Sequence, residues 1–182
     1  MNYYGAKELA QSFRTVRNNT ILIAGEIPED KYDFRAAGGC LSVGEILAHI
    51  AVMPGVQEQI HVGERCSSLA SFDFMGLMGK LQAEVILPRT KAEVLELLRA
   101  EGDKYAAILE GASEEFLAEQ VEFPEGMMPR SKSRFEMLMA PKEHEMHHRG
   151  QLMLIQRLLG ITPHMTRQME ERIAAMRAQA GQ

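Results

Sequence analysis

Four long stretches of the chain repeat apolar residues every three to four positions, and almost nothing alternates in the manner of a strand. Such spacing gathers apolar side chains on one face of an α-helix. The stretches run from about Tyr3 to Ala24, from Ser42 onward, from Thr90 to about Glu110, and from about Ser133 to Leu159. The pattern therefore predicts an all-α protein.

Local signals mark where these helices begin and bend. Ser42 is followed three residues later by Glu45, and Thr90 is followed three residues later by Glu93. This spacing is that of a capping box, in which each of the two side chains accepts a hydrogen bond from a backbone N–H at the helix start. Pro54-Gly55 predicts a break in the second helix. Pro141 lies inside the fourth helix, where it removes a backbone hydrogen bond and is expected to bend the helix.

Four amphipathic helices with mostly short connections are typical of a four-helix bundle. Residues 113–116 predict a short extra helical turn, whereas residues 121–132 contain Pro and Gly and are expected to form a loop. The long link at residues 67–89 leaves a short helix open but receives no firm assignment. Thirteen methionines suit a core that needs flexible fillers, with a Met-rich binding surface as the alternative.

Composition excludes several classes of protein. The chain has 182 residues, 25% of them charged, and a net charge of −5 offers no basic face for nucleic-acid phosphates. Few aromatics and no Trp also disfavour base stacking. The apolar runs are too short to span a bilayer, and residues 1–19 show no secretory signal. With only Cys40 and Cys66, we expect reduced thiols and a cytoplasmic protein.

Residues 143–151 read EHEMHHRGQ and hold three of the six histidines. On a helix, His144 and His148 project from one face, whereas His147 points elsewhere. This face points toward the bundle core, where unpaired polar groups cost about 1–3 kcal/mol each. Zinc-like metals take at least three protein ligands. The natural third ligand is His49, on the inward stripe of the second helix.

The other histidines have weaker claims to a metal. His61 lies near the end of the second helix and is expected at the surface or rim. His164 follows Pro163 and is expected in a loop. Neither position predicts a ligand.

Residues 144–148 also spell H-E-x-x-H, the pattern of a zinc protease. The extended form of that motif fails, because Gln151 stands in place of Gly and Leu154 in place of His. A distal carboxylate ligand from Glu170 or Glu171 stays open. Glu145 points well away from the metal-facing direction and is expected to pair with Arg149. The chain also offers no convincing strand to align a peptide. The protease interpretation is therefore disfavoured.

Three segments together resemble the DinB-like (YfiT-like) superfamily of metal-dependent enzymes: FRTVRNNTILIAGEIPEDKYDFR, SVGEILAHIA and HEMHHRGQL. The resemblance implies an up-down-down-up four-helix bundle over residues 1–165, often a homodimer. We expect residues 166–182 to form a helical extension. The resemblance also implies a nickel or zinc ion held by three histidines, which correspond in this chain to His49, His144 and His148. Pro141 departs from the family's pattern just ahead of the ligands.

Three neutral imidazoles leave a bound ion its full charge and an open position, which lowers the pKa of a bound water or thiol. Some relatives are thiol S-transferases and others resemble hydrolases. We therefore expect an enzyme that activates a low-molecular-weight thiol or water for attack on a small-molecule substrate. Gln151 is expected either to orient a ligand or substrate by hydrogen bonding or to be an ordinary polar residue of the bundle. The alternatives are a non-catalytic metal-binding stress-response bundle with a protein partner, and a metal-free bundle.

Overall fold

The computed structural model describes residues 4–180, so the predicted start at Tyr3 lies outside the described residues. The elements in chain order are α1 (Ala6–Glu26), α2 (Val43–Val52), α3 (Gly55–Glu58), α4 (Phe74–Val85), α5 (Lys91–Glu110), α6 (Glu114–Ala118), β1 (Gln120–Glu122), β2 (Ser131–Ser133), α7 (Arg134–Leu158) and α8 (His164–Ala180). A 3₁₀ turn at Glu29–Lys31 follows α1, and a π-helical turn at Gln59–Gly63 extends α3.

Capping side chains fix the starts of the long helices. The Ser42 hydroxyl accepts the backbone N–H of Glu45 at 3.2 Å, and the Glu45 carboxylate accepts that of Ser42 at 2.8 Å. The box predicted at Thr90 is likewise present. A third box forms at Ser133, the residue before α7. The two predicted capping boxes are therefore confirmed. The sequence could predict them because each box needs atoms from only four consecutive residues.

Two clusters of buried side chains give the direction of each long helix. One cluster joins the end of α1, the start of α2, the start of α5 and the end of α7, through Ile23, Ile46, Leu98 and Leu152. The other joins the start of α1, the end of α5 and the start of α7, through Phe13, Tyr105 and Leu138. Thus α1 and α7 run one way, and α2 and α5 run the other. The predicted up-down-down-up bundle is confirmed.

The connections hold structure that the sequence did not predict. The long link contains α4, which packs against α2. The expected loop at residues 121–132 instead closes a hairpin, in which β1 pairs antiparallel with β2 and Val121 lies opposite Lys132. Each strand has only three residues, which is too short to produce a readable alternation. The hairpin and α4 cover one end of the groove between α3 and α7.

The C-terminal helix α8 is mostly exposed, and its first turn contacts α1 and α7 of the bundle. Arg167 forms an ion pair with Glu26 of α1, and Arg157 donates to the Thr166 hydroxyl at 2.9 Å. The division of the chain at residue 165 stays a prediction. Among residues 4–180, no helix is long and apolar enough to cross a membrane. Both Cys40 and Cys66 are free thiols.

Candidate metal centre

Three histidines converge in the groove between α2 and α7. His49 lies in the last turn of α2, which its neighbours Ala48 and Ile50 anchor in the core. His144 and His148 lie one turn apart on α7, and all three imidazoles are half-buried. Helix α7 continues unbroken through Pro141, so this proline does not end the helix ahead of the histidines.

The three imidazoles present nitrogen atoms to one small region. His144 Nε2 lies 3.1 Å from His49 Nε2 and 3.1 Å from His148 Nε2. One ring nitrogen from each histidine lies within 4.8 Å of the others. The ring centroids are 4.5 to 4.9 Å apart. The structure therefore brings together the three residues that the sequence singled out.

Gln151 sets the tautomer of His148. Its side-chain oxygen lies 2.8 Å from His148 Nδ1. Because an amide oxygen only accepts, Nδ1 carries the hydrogen and donates it, and the neutral ring presents a lone pair at Nε2. The amide nitrogen of Gln151 lies 3.2 Å from His147 Nε2, to which it donates. Gln151 thus contacts a candidate metal ligand, and its orienting role stays a prediction.

This arrangement fits a divalent cation. His144 Nε2 carries at most one hydrogen, so it cannot form well-directed hydrogen bonds with both His49 and His148, and one of the two contacts lacks a proper hydrogen bond. A cation among the three nitrogens removes that conflict. Two nitrogens bound at about 2.1 Å to one tetrahedral zinc ion lie roughly 3.4 Å apart, close to the observed spacing. Imidazole also suits nickel, copper and iron.

Burial keeps the cluster neutral. Burial, and secondarily the charge of His148, lowers the pKa of His49 to about 4. Burial, followed by the other three nearby histidines, also lowers the pKa of His144 to about 4. Burial lowers the pKa of His148 as well, against its hydrogen bond with Gln151. Neutral imidazoles are the form that ligates metals, so the site is prepared at neutral pH.

Glu145 does not act as the base of a zinc protease, and its expected pairing with Arg149 is wrong. Its carboxylate is buried on the other side of α7, where both oxygens accept from Arg17 Nε at 3.1 Å. Arg17 and Glu145 are 3% and 1% exposed. The alternative ligands Glu170 and Glu171 lie on exposed α8 and outside the histidine group. The protease interpretation therefore lacks both its base and its extra ligand.

Two further histidines lie elsewhere than expected. His61 was expected at the surface but is 1% exposed, with Nδ1 accepting from Arg134 at 2.9 Å and Nε2 donating to Gln57 at 3.0 Å. Burial, and then the charge of Arg134, lowers its pKa to about 4. His164 begins α8 rather than lying in a loop, and it contacts Asn19 of α1 at 3.1 Å. Neither belongs to the metal-ligating group among the described residues.

Sequence reasoning missed Arg17, which touches all four long helices. The guanidinium on α1 donates to the Ile50 carbonyl of α2 at 3.1 Å, to the Leu98 carbonyl of α5 at 2.7 Å and to Glu145 of α7. One available signal was its position four residues after Phe13, on the inward stripe of α1. A charged residue on such a stripe requires a buried partner.

A cavity borders one of the three histidines, His148. Its volume is about 320 Å³, and His148 and Gln151 form part of its wall together with Cys40 and Leu154. Apart from the Gln151 amide and the His148 ring, the wall is largely apolar. A small molecule can therefore reach His148 from the side of the loop before α2.

The fold and the cluster define a four-helix bundle protein with a candidate three-histidine metal centre between two antiparallel helices. The chain belongs to the DinB family, whose sequence profile matches residues 1–178. No curated protein matches the chain.

Solved structures share the fold. A DinB-like protein from Bacillus subtilis, YjoA, has 22% identity and a TM-score of 0.62, covering 85% of this chain and 93% of its own. YfiT from Bacillus subtilis is described as a probable metal-dependent hydrolase with an unusual four-helix bundle topology. It has 13% identity and a TM-score of 0.66, covering 89% and 91%. A DinB-like protein from Bacillus cereus has 17% identity and a TM-score of 0.63, covering 86% and 93%.

Proposed function

We propose that this chain is a metal-dependent enzyme in which His49, His144 and His148 hold a divalent ion. The observation that carries the proposal is the convergence of their Nε2 atoms, with 3.1 Å between His144 and each of the other two. The description of YfiT as a probable metal-dependent hydrolase supports it. The ion is nickel or zinc, both of which imidazole nitrogens bind well.

When bound, a divalent ion with three neutral ligands supplies Lewis acidity, which lowers the pKa of a coordinated water or thiol toward neutrality. The chain's own residues prepare the site for this. Gln151 holds the His148 ring in one tautomer, and burial keeps the imidazoles unprotonated. The histidine group contains no carboxylate in the described part of the chain. The proposed reaction is attack of a thiol cofactor or of water on a small electrophilic substrate.

A second candidate function is a non-catalytic metal-binding stress-response bundle that acts through a protein partner. The observation that favours it is an apolar stripe on α8, where Met169, Ile173 and Met176 are all exposed. These residues recur at helical spacing, so they share one face. The same stripe is our candidate for the homodimer interface. An Ile173→Glu variant that turns a dimer into a monomer in analytical ultracentrifugation supports this assignment.

Elemental analysis of protein purified without an affinity tag tests the metal site. We expect about one nickel or zinc ion per chain, lost in His49→Ala, His144→Ala and His148→Ala. His147→Ala is the matched control, because His147 is exposed on the same helix turn and lies outside the metal-ligating group. Protein that neither contains nor takes up metal would refute the proposal. Metal that survives His49→Ala would place the third ligand elsewhere.

Turnover separates the two candidate functions. An enzyme of the proposed kind consumes an electrophile such as a haloalkane or an activated ester in the presence of metal, with either a low-molecular-weight thiol or water as the second reactant. This activity should disappear in His144→Ala and remain in His147→Ala. Metal-loaded protein without such turnover would favour the non-catalytic bundle.

A further inference from the structure

A second and larger cavity lies further along the groove that holds the three histidines. Its volume is about 560 Å³, within the range of small-molecule pockets. Three aromatic rings, those of Phe72, Phe74 and Phe123, contribute to its wall, and most other lining groups are aliphatic. Phe74 is 49% exposed although its ring belongs to this wall. Exposed aromatic surface around a cavity mouth favours an apolar occupant.

Helix geometry places this cavity beside the candidate metal centre. On α7, the cavity is lined by Ala140 and Met137, which precede His144 by four and seven residues and share its face. On the opposite wall Val56 follows His49 by seven residues. Because α2 and α7 run antiparallel, both steps lead toward the same end of the bundle. Four residues of helix rise about 6 Å, so the cavity begins about one turn from His144.

One cation lies at the cavity without a charged partner. Lys132 of β2 lines the cavity and forms no ion pair with any residue in 4–180. The neighbouring carboxylate of Glu136, which also lines the cavity, accepts from the backbone N–H and the hydroxyl of Ser133 at the start of α7. The cavity therefore combines an apolar interior with an ammonium group available to an anion.

We infer that this cavity binds the substrate's apolar part, and that the substrate is a small aromatic or short-chain molecule carrying an anionic group beside Lys132. The inference rests on the proposed metal-dependent function, because Ala140 in the cavity wall lies one helical turn from His144, a proposed metal ligand. The reacting end of the molecule extends past Ala140 toward His144. The anionic group lies at Lys132, on the rim formed by the hairpin.

A pair of fluorescent probes tests the cavity in metal-free protein. N-phenyl-1-naphthylamine is neutral, and 1-anilinonaphthalene-8-sulfonate has the same rings with an added sulfonate. Both should bind with increased emission. Ala140→Phe fills the cavity and should weaken both probes roughly tenfold or more, because the added ring occupies the space that the probe rings need. Ala100→Phe, at an exposed position of α5, is the matched control and should bind both probes like the parent.

A Lys132→Met variant tests the anionic group. It should weaken the sulfonate probe about threefold, in line with a partly exposed charge pair, and leave the neutral probe unchanged. Equal affinity of the sulfonate probe for parent and variant would overturn the assignment of the anion to Lys132.

Metal quenching tests the position of the cavity relative to the histidines. Cobalt(II) quenches a nearby fluorophore through its d–d absorption, whereas zinc(II) does not. In protein loaded with cobalt(II), the emission of the bound neutral probe should fall, and zinc(II) should leave it unchanged. His49→Ala should abolish the quenching while the probe still binds.

The outcomes separate this inference from the proposed function. Probe binding that persists in Ala140→Phe would overturn the cavity assignment, whatever the metal does. Probe binding without any uptake of cobalt(II) would leave the cavity but refute the metal centre on which the substrate assignment rests. A parent dimer that dissociates in Ala140→Phe but not in Ala100→Phe would assign the cavity mouth to a second copy of the chain, against the inference.

Discussion

Arg17 and Glu145 form a buried ion pair at the centre of the bundle, although 128 residues separate them in the chain. The same guanidinium bonds to the Ile50 carbonyl, and Ile50 follows His49 just as Glu145 follows His144. The pair therefore ties α2 and α7 together one residue away from a candidate ligand on each helix. Its geometry is favourable, since two guanidinium nitrogens contact the carboxylate at 3.0 and 3.1 Å.

Removing one partner of this pair should destabilise the protein strongly. Arg17→Ala or Glu145→Ala leaves an uncompensated charge in the core, which costs about 3–5 kcal/mol in the free energy of unfolding. Urea denaturation of metal-free protein measures this loss. Arg14→Ala is the matched control, because Arg14 lies one turn before Arg17 on α1 and its ion pair with Glu110 of α5 is exposed, so this pair should contribute under about 1 kcal/mol.

The double variant Arg17→Met/Glu145→Leu separates stability from positioning. Replacing both charges with apolar groups should restore most of the stability. We expect the affinity for zinc, measured by competition with a chelator, to stay below that of the parent, because the bond to Ile50 is lost. Parent-like affinity in a stable double variant would show that the pair serves the fold alone.

Gly102 of α5 should resist substitution because it makes room for Arg17. A Cβ at this position would lie 2.9 Å from Arg17 Cγ and 3.0 Å from Nη1. Gly102→Ala is therefore expected to destabilise the protein by about 1–3 kcal/mol. The control is Gly79→Ala in the interior of α4, where a Cβ meets nothing within 4 Å. There the change should stabilise by roughly 0.5–1 kcal/mol, and equal effects in thermal unfolding would contradict the account.

Gln151 should affect metal affinity without touching the metal. Its oxygen accepts the Nδ1 hydrogen of His148 and so directs the Nε2 lone pair at the site. Loss of such a partner typically weakens metal binding about 10–100-fold. We expect this loss for Gln151→Ala in a zinc competition titration and recovery in Gln151→Glu. Because His147 also contacts Gln151, His147→Ala serves as the control, and an equal loss there would contradict the prediction.

Stability of the metal-free protein should fall as the pH decreases from about 6.5 to 4. The pKa values of His49, His61 and His144 are lowered to about 4 in the folded chain, chiefly by burial. Unfolded histidines titrate near 6.5, so between these values the unfolded state binds more protons. The contribution of neutral imidazoles is thus complete above 6.5 and lost as the pH falls through about 4. Urea denaturation at several pH values measures the slope.

His61→Gln isolates one contribution to this slope. The variant removes a buried imidazole whose pKa is lowered by burial and by Arg134, outside the metal centre. The dependence of the unfolding free energy on pH should become shallower, whatever the absolute stability of the variant. An unchanged slope would mean that His61 does not contribute to the loss at low pH.

Helix starts and the stacked histidine pair depend on short stretches of chain, so the sequence predicts them. The capping boxes at Ser42 and Thr90 need atoms from four consecutive residues only. His144 and His148 share a face because helix geometry places residues four apart on one side. The sequence also indicates His49 as an inward-facing residue, although its distance from α7 depends on how the helices pack.

Only the tertiary structure determines which partners the buried charged residues pair with and whether the remaining histidines are buried. Glu145 pairs with Arg17 across the bundle instead of with Arg149 one turn away, and His61 is covered by a contact with Arg134 that spans 73 residues. The hairpin and α4 enclose a cavity that no local pattern marked. Local spacing determines which side chains share a helix face, whereas burial and partner choice depend on surfaces that distant segments bring together only on folding.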